Sequence, residues 1–280
     1  MRPLTTLPFH VWRRLKSFAD MNIYENGGIM LVSQVDIGVI PPTPQNTEQD
    51  SPTPQKPSRI IHDVAEALGY HIGYKQEHGG LLVQDIYPKP GTTAEQISTS
   101  SKTELLLHTE TAFHPYRPRF VVLLCLRGDE QAKTTFSSAK NFLAKLDKKT
   151  KQILSEPRFT TTIDISFLNG GAKDQKITTP VLSGTDDKPV LVFDTQLMRG
   201  TDDEAQQALL DMSLAIAECV QSVTLHAGDL LILDNHRVVH GRTSFVAKFD
   251  GTDRWVLRAL AVEKLPPKEH ISGRVITTQF

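Results

Sequence analysis

The stretch Asp253-Arg254-Trp255-Val256-Leu257-Arg258-Ala259-Leu260-Ala261-Val262 decides the fold class of this 280-residue chain. Read as a strand, it places Trp255, Leu257, Ala259 and Ala261 on one face and Arg254, Val256, Arg258 and Leu260 on the other. Apolar side chains on both faces imply a strand buried on both sides. Two arginines projecting inward from such a strand are costly unless carboxylates meet them. A guanidinium fork matches a carboxylate in bidentate fashion. Each arginine therefore either pairs with a structural acid at a sheet end or receives an anion.

Outward from this strand, short apolar runs bounded by Gly or Pro read as further strands: Leu81 to Ile86, Arg119 to Leu126, Val190 to Phe193 and Asp229 to Asp234. Gly28 to Val35 is a shorter candidate. Helices are expected over 8–20, 59–68, 137–155 and 202–220. The second carries Ile60, Ile61, Val64 and Leu68 on one side, with Gly69 suited to its C-terminal cap. The fourth opens with Thr201-Asp202-Asp203-Glu204, a capping box, and lines Ala205, Leu209, Met212 and Ile216 along one face. Residues 40–58, rich in Pro, Thr, Ser and Gln, have little to bury and read as a long mobile loop. Many strands with few helices, in a single domain spanning 1–280, suggest a mainly β protein with flanking helices, a sandwich or jelly roll.

Composition narrows the class of function. The chain is 39% hydrophobic with a formal net charge of -1, so nothing draws it to nucleic acid or to an anionic membrane. The cluster Lys145 to Lys151 is interrupted by Asp147 and reads as a solvated helix face. No apolar stretch reaches membrane-spanning length, and the basic N-terminus lacks the apolar core of a signal peptide. A cytoplasmic protein is the expectation. Cys125 and Cys219 read as reduced, packed thiols rather than a disulfide.

Leu105-Leu106-Leu107-His108-Thr109-Glu110 sets an imidazole and a carboxylate two residues apart, on one face of an extended chain, so both can reach one ion. The segment Asp234-Asn235-His236-Arg237-Val238-Val239-His240-Gly241-Arg242 offers two histidines for a third ligand. Two histidines and a carboxylate occupy one face of an octahedral iron and leave three positions for a bidentate cosubstrate and dioxygen. Spacing alone makes this a weak signal, since ten histidines and 32 acids produce such pairs by chance.

The flanking residues add to it. The run Leu107-His108-Thr109-Glu110-Thr111-Ala112-Phe113-His114-Pro115-Tyr116-Arg117-Pro118, continuing through Leu123 to Arg127, resembles the clavaminate synthase-like branch of the Fe(II)/2-oxoglutarate-dependent oxygenases. That branch includes free arginine and asparagine 3-hydroxylases and lies in the wider TauD/TfdA-related superfamily. The resemblance resumes at Gly228-Asp229-Leu230, Asp234-Asn235, His240-Gly241-Arg242, Phe245 and Asp250-Gly251-x-Asp253 through Arg258. It covers roughly half the chain in the same order, and the branch's glutamate ligand is matched by Glu110.

The resemblance implies a double-stranded β-helix (jelly roll, cupin-like) core. It implies that His108, Glu110 and His240 ligate Fe(II), and that Arg254, helped by Thr134, binds the distal carboxylate of 2-oxoglutarate. Arg258 would bind the substrate α-carboxylate. Gln76, Ser98, Asp194 and Asp164 fall where amino-acid hydroxylases contact substrate, and Thr160 to Thr179 looks like a substrate-covering lid. An arginine hydroxylase of this type carries a second acid two residues before the Asp194 position; Val192 stands there, which counts against arginine. Read for structure alone, His114 and Arg117 shape a turn, His236 faces solvent or supports a ligand, and Asp194 caps a turn.

The implied reaction is decarboxylation of 2-oxoglutarate by dioxygen to succinate, with hydroxylation of an unactivated carbon of a small free amino acid, lysine-like or amide-bearing. Glu110 leaves no place for a halide, while desaturation and cyclisation stay open. The competing readings are the same chemistry on a carrier-bound or peptide-derived amino acid, and a cupin-like sensor that binds metal and 2-oxoglutarate without turnover. A zinc hydrolase suits His, Glu and His but not the paired arginines.

Overall fold

The computed structural model describes residues 7–45, 53–173 and 175–278. Part of the 40–58 segment and Asp174 of the 160–179 segment lie outside the described residues. Two sheets face each other. The larger runs in the order Ile29–Val32, Leu230–Asp234, Phe120–Arg127, Trp255–Val262, Tyr70–Tyr74, Val275–Ile276 and Ile271–Ser272, with Val83–Ile86 also joined to Trp255–Val262. The smaller runs in the order Gln221–Val223, Thr134–Ser138, Val238–Arg242 and Leu105–His108. Val275–Ile276 pairs with Tyr70–Tyr74 in parallel, and the other ladders of the two sheets are antiparallel. This is a double-stranded β-helix core with flanking helices.

The Trp255–Val262 strand is buried along its whole length. Trp255, Leu257, Ala259 and Ala261 pack outward against Ile60, Ile61 and Val64 of the helix Gln55–Leu68 and Val11 and Leu15 of the helix Phe9–Asp20. Val256 and Leu260 pack inward against Phe136 and Val238 of the smaller sheet. The alternation expected from sequence holds, and it aims Arg254 and Arg258 between the sheets.

Four elements differ from the sequence expectation. The Val190–Phe193 strand is instead Lys188–Leu191, paired with Leu182–Thr185 in a separate hairpin outside the two core sheets. The 59–68 helix begins at Gln55, since Pro57 in a first turn removes an N–H that would have no helical partner. Gly69 ends that helix in extended backbone rather than a left-handed cap; it is small because an added Cβ would lie 2.4 Å from Val262 O. The 137–155 helix is instead the end of a strand, Thr134–Ser138, then short helices at Ala139–Phe142 and Lys148–Leu154. Asp147 restarts the chain there by accepting a 2.7 Å hydrogen bond from Thr150 N. In the helix Asp203–Glu218 the cap is Asp202, which accepts from Ala205 N, while Thr201 donates to Arg158 O. Cys125 and Cys219 are both free, and no helix among the described residues is long and apolar enough to cross a membrane.

His71 ties the long helix to the sheet. Its Nε2 donates to Leu82 O at 2.7 Å, leaving Nδ1 to accept from His62 Nδ1 at 2.8 Å. Burial lowers its pKa to about 4. A histidine depressed below its unfolded value contributes stability above pH 6.5 that is lost as pH falls toward 4. Urea unfolding at pH 5 should therefore give about 2 kcal/mol less stability than at pH 7 from this group. An equal loss in His71→Gln would show that His71 is not the source.

Candidate active site

The paired strands Leu105–His108 and Val238–Arg242 set His240 directly opposite His108, with ring centroids 4.6 Å apart. Gly241 permits the approach, because a Cβ there would lie 2.3 Å from Leu105 O. His108 Nδ1 lies 2.7 Å from Leu106 O, and a carbonyl only accepts, so Nδ1 carries the proton and Nε2 keeps its lone pair.

Glu110 follows two residues beyond the end of the strand, and Asn235 fixes it there. The Asn235 amide accepts from Glu110 N at 2.6 Å and donates to Glu110 O at 3.1 Å and Pro118 O at 2.9 Å. Ligand atoms of His108, Glu110 and His240 all lie within 4.8 Å of one another. Burial alone would raise the Glu110 carboxyl, but Arg258 and then the two imidazoles outweigh it and hold the carboxyl well below the usual range. An ionised carboxylate and two imidazoles on one side of a point are a donor set for a divalent cation with open positions opposite.

The three residues lie on the wall of a solvent-connected cavity of about 110 Å³ that also contacts Arg254, Arg258, Thr134, Ser98, Asp164 and Asp194. The structure thus gathers all but one of the sequence candidates. Gln76 lies outside this cavity; its neighbour Glu77 lines it instead. His236 and Val192 lie outside it too. His114, buried beside Tyr74, and Arg117, which donates to His114 O, shape the turn after the ligands.

Arg254 is 6% exposed, and its guanidinium has no hydrogen-bond or ion-pair partner among the described residues. The Thr134 hydroxyl on the same cavity wall is buried without a partner. A free buried cation and a free hydroxyl form an anion cradle, and a dicarboxylate cosubstrate fits it. Arg258 is engaged instead. It donates through Nη1 to Glu110 Oε1 at 2.9 Å, through Nη2 to Glu77, and through Nε at 2.8 Å and Nη2 to the Gln84 amide oxygen. Glu77 Oε2 is buried with no partner.

Asp164 and Asp194 each carry a structural duty. Asp164 caps the short helix Ile165–Asn169 through Ser166 N, and Asp194 Oδ1 accepts from Gln196 N and Leu197 N. Neither carboxylate forms an ion pair with a lysine or arginine among the described residues, though Arg258 acts on Asp164 at a distance. The turn reading of Asp194 and its place in the cavity are both true of one side chain.

Residues 52–260 match the model of the taurine catabolism dioxygenase TauD, TfdA family. The chain belongs to this family. It is 38% identical over 285 residues to an L-lysine 3-hydroxylase from Catenulispora acidiphila, covering 98% of this chain and 78% of that protein. It is 34% identical to clavaminate synthase 2 from Streptomyces clavuligerus, over 84% of this chain and 73% of the relative. Among solved structures, the non-heme iron oxygenase OrfP with Fe, succinate and (3S)-hydroxy-L-Arg superposes with a TM-score of 0.87 at 27% identity, covering 96% of this chain and 87% of that one. OrfP is also known with Fe and alpha-ketoglutaric acid. Within the TauD/TfdA family, this chain is a non-heme Fe(II)/2-oxoglutarate-dependent oxygenase.

Proposed function

We propose that this oxygenase hydroxylates a free basic amino acid of the lysine type. The observation that carries the reading is the pair Asp164 and Asp194, two carboxylates on the cavity wall that form no ion pair with a lysine or arginine among the described residues. They suit a side-chain ammonium, and the likeness to an L-lysine 3-hydroxylase supports the same choice. Val192 is packed in the core at 3% exposure, so a guanidinium would find no further acid there.

In this reading His108, Glu110 and His240 hold Fe(II), and Arg254 with Thr134 receives the distal carboxylate of 2-oxoglutarate. Arg258 binds the substrate α-carboxylate, while the free oxygen of Glu77 receives the α-ammonium. Ser98 contacts the substrate from the facing wall. Gln76, whose amide nitrogen and oxygen are buried without a partner among the described residues, lines an adjoining pocket that shares Glu77, Ser98 and Ser166 with the cavity. The short helix Ile165–Asn169 and its cap Asp164 cover the substrate, since Asp164, Ser166 and Phe167 line the cavity. Bound iron with 2-oxoglutarate and dioxygen supplies the oxidising chemistry, the 2-oxo acid leaving as succinate. The residues bind, orient and exclude water. Two free thiols and a free metabolite as substrate favour the cytoplasm.

The test is succinate release by anaerobically iron-loaded protein given 2-oxoglutarate, air and a panel of free amino acids. Lysine or a close homologue should stimulate turnover most. Stimulation by asparagine alone, or by none, would defeat the proposal.

Asp194→Asn keeps an oxygen for the Gln196 and Leu197 amides but removes the charge. It should raise the KM for lysine at least about tenfold, as loss of a buried charge partner does. The KM for 2-oxoglutarate should stay unchanged. Equal lysine KM values in both proteins would show that Asp194 only holds its turn.

A further inference from the structure

Arg242 lies on the cavity wall, two residues beyond His240, and is buried. All five of its N–H groups have acceptors. Nε donates to Thr243 O at 3.0 Å; Nη1 donates to Ser100 O at 2.6 Å and Ser98 O at 3.4 Å; Nη2 donates to Ser100 Oγ at 3.1 Å and Thr103 O at 3.0 Å. Each acceptor is neutral, and no carboxylate among the described residues pairs with this guanidinium. With every donor occupied, Arg242 has none left for a ligand. Its geometry is saturated while its charge is uncompensated.

Arg254 is the complementary case. It too forms no ion pair among the described residues, with Asp129 acting on it only at a distance, but its donors are free. The two guanidinium groups line one cavity and act on each other electrostatically. Two buried like charges without ion-pair partners oppose folding, and a bound dianion offsets both. Lysine brings no net negative charge, whereas 2-oxoglutarate carries two.

We propose that Arg242 is a positioning residue for 2-oxoglutarate, supplying the second positive charge of its pocket through space while Arg254 makes the contact. The same side chain pins the segment from Ser98 to Thr103 against the strand that carries His240. The proposal rests on the oxygenase reading above.

The experiment measures the 2-oxoglutarate Kd by calorimetry on Mn(II)-loaded protein, in wild type, R242Q and R242K, beside the KM for the amino acid. Lysine keeps the charge but loses the five-bond geometry, and glutamine loses the charge. R242Q should weaken 2-oxoglutarate binding about tenfold, and R242K should restore the Kd to within about threefold of wild type. The amino-acid KM should rise in both, because both release the Ser98 segment. An unchanged Kd in R242Q overturns the proposal. So does a Kd in R242K as weak as in R242Q, which would make the role one of loop anchoring alone. If R242Q does not fold, Ser100→Asp reads the same quantity by placing a counter-charge on Arg242; an unchanged Kd there overturns the proposal equally. Wild type that binds metal but no 2-oxoglutarate would instead remove the oxygenase reading itself.

Discussion

Glu110→Gln is expected to lower amino-acid-stimulated succinate release by at least about three decades, the scale of the several kcal/mol that a catalytic metal contributes. The substitution keeps the shape of the side chain and leaves an oxygen for Arg258 Nη1. It removes the single anionic ligand from a set otherwise made of two neutral imidazoles. It also leaves Arg258 facing one carboxylate, Glu77, instead of two. Divalent metal affinity should fall in parallel, read as Mn(II) Kd by calorimetry, while the thermal unfolding midpoint stays near that of wild type because Asn235 holds the Glu110 backbone through its own N–H and carbonyl. Retained turnover at wild-type metal affinity would mean that the ion sits elsewhere.

Arg254→Met should act on the other ligand. The guanidinium has no structural partner to lose, so removing it relieves the fold of a buried charge and deprives 2-oxoglutarate of its counterion. Truncating one side of a buried charge pair costs about 3 kcal/mol, so the 2-oxoglutarate KM should rise roughly a hundredfold. Stability should hold or increase, which separates this variant from one that merely damages the core. A lysine KM raised as much as that for 2-oxoglutarate would place Arg254 in the amino-acid pocket instead.

Much of this was legible in the sequence because the patterns were local. The alternation from Arg254 to Val262 announced a strand buried on both faces and named the inward arginines. His108 and Glu110 at i and i+2 are neighbours on any extended chain. What escaped depended on contacts far apart in sequence. Thr134–Ser138 reads TTFSS, too polar to stand out as a strand, with Ser137 and Ser138 read as a helix start, yet it is buried because strands at Gln221–Val223 and Val238–Arg242 pair with it on both sides. Whether Gln76 or Glu77 faces the cavity turns on the phase of the chain leaving Tyr74. That phase is set by a tight loop in which His78, Gly79 and Gly80 all take positive φ. No hydrophobic periodicity records such a choice. The saturation of Arg242 by loop carbonyls is invisible for the same reason, since backbone acceptors carry no residue signature.

The central strand also dictates when the protein can become functional. Trp255–Val262 closes ladders with Tyr70–Tyr74, Val83–Ile86 and Phe120–Arg127, partners that precede it by more than a hundred residues. During synthesis those segments emerge first and must wait with their edges unsatisfied, including the apolar run Phe120-Val121-Val122-Leu123-Leu124-Cys125-Leu126. His240, Arg254 and Arg258 arrive with the same late stretch of chain. An emerging polypeptide therefore lacks the full ligand set until His240 and the strand that follows it have left the ribosome.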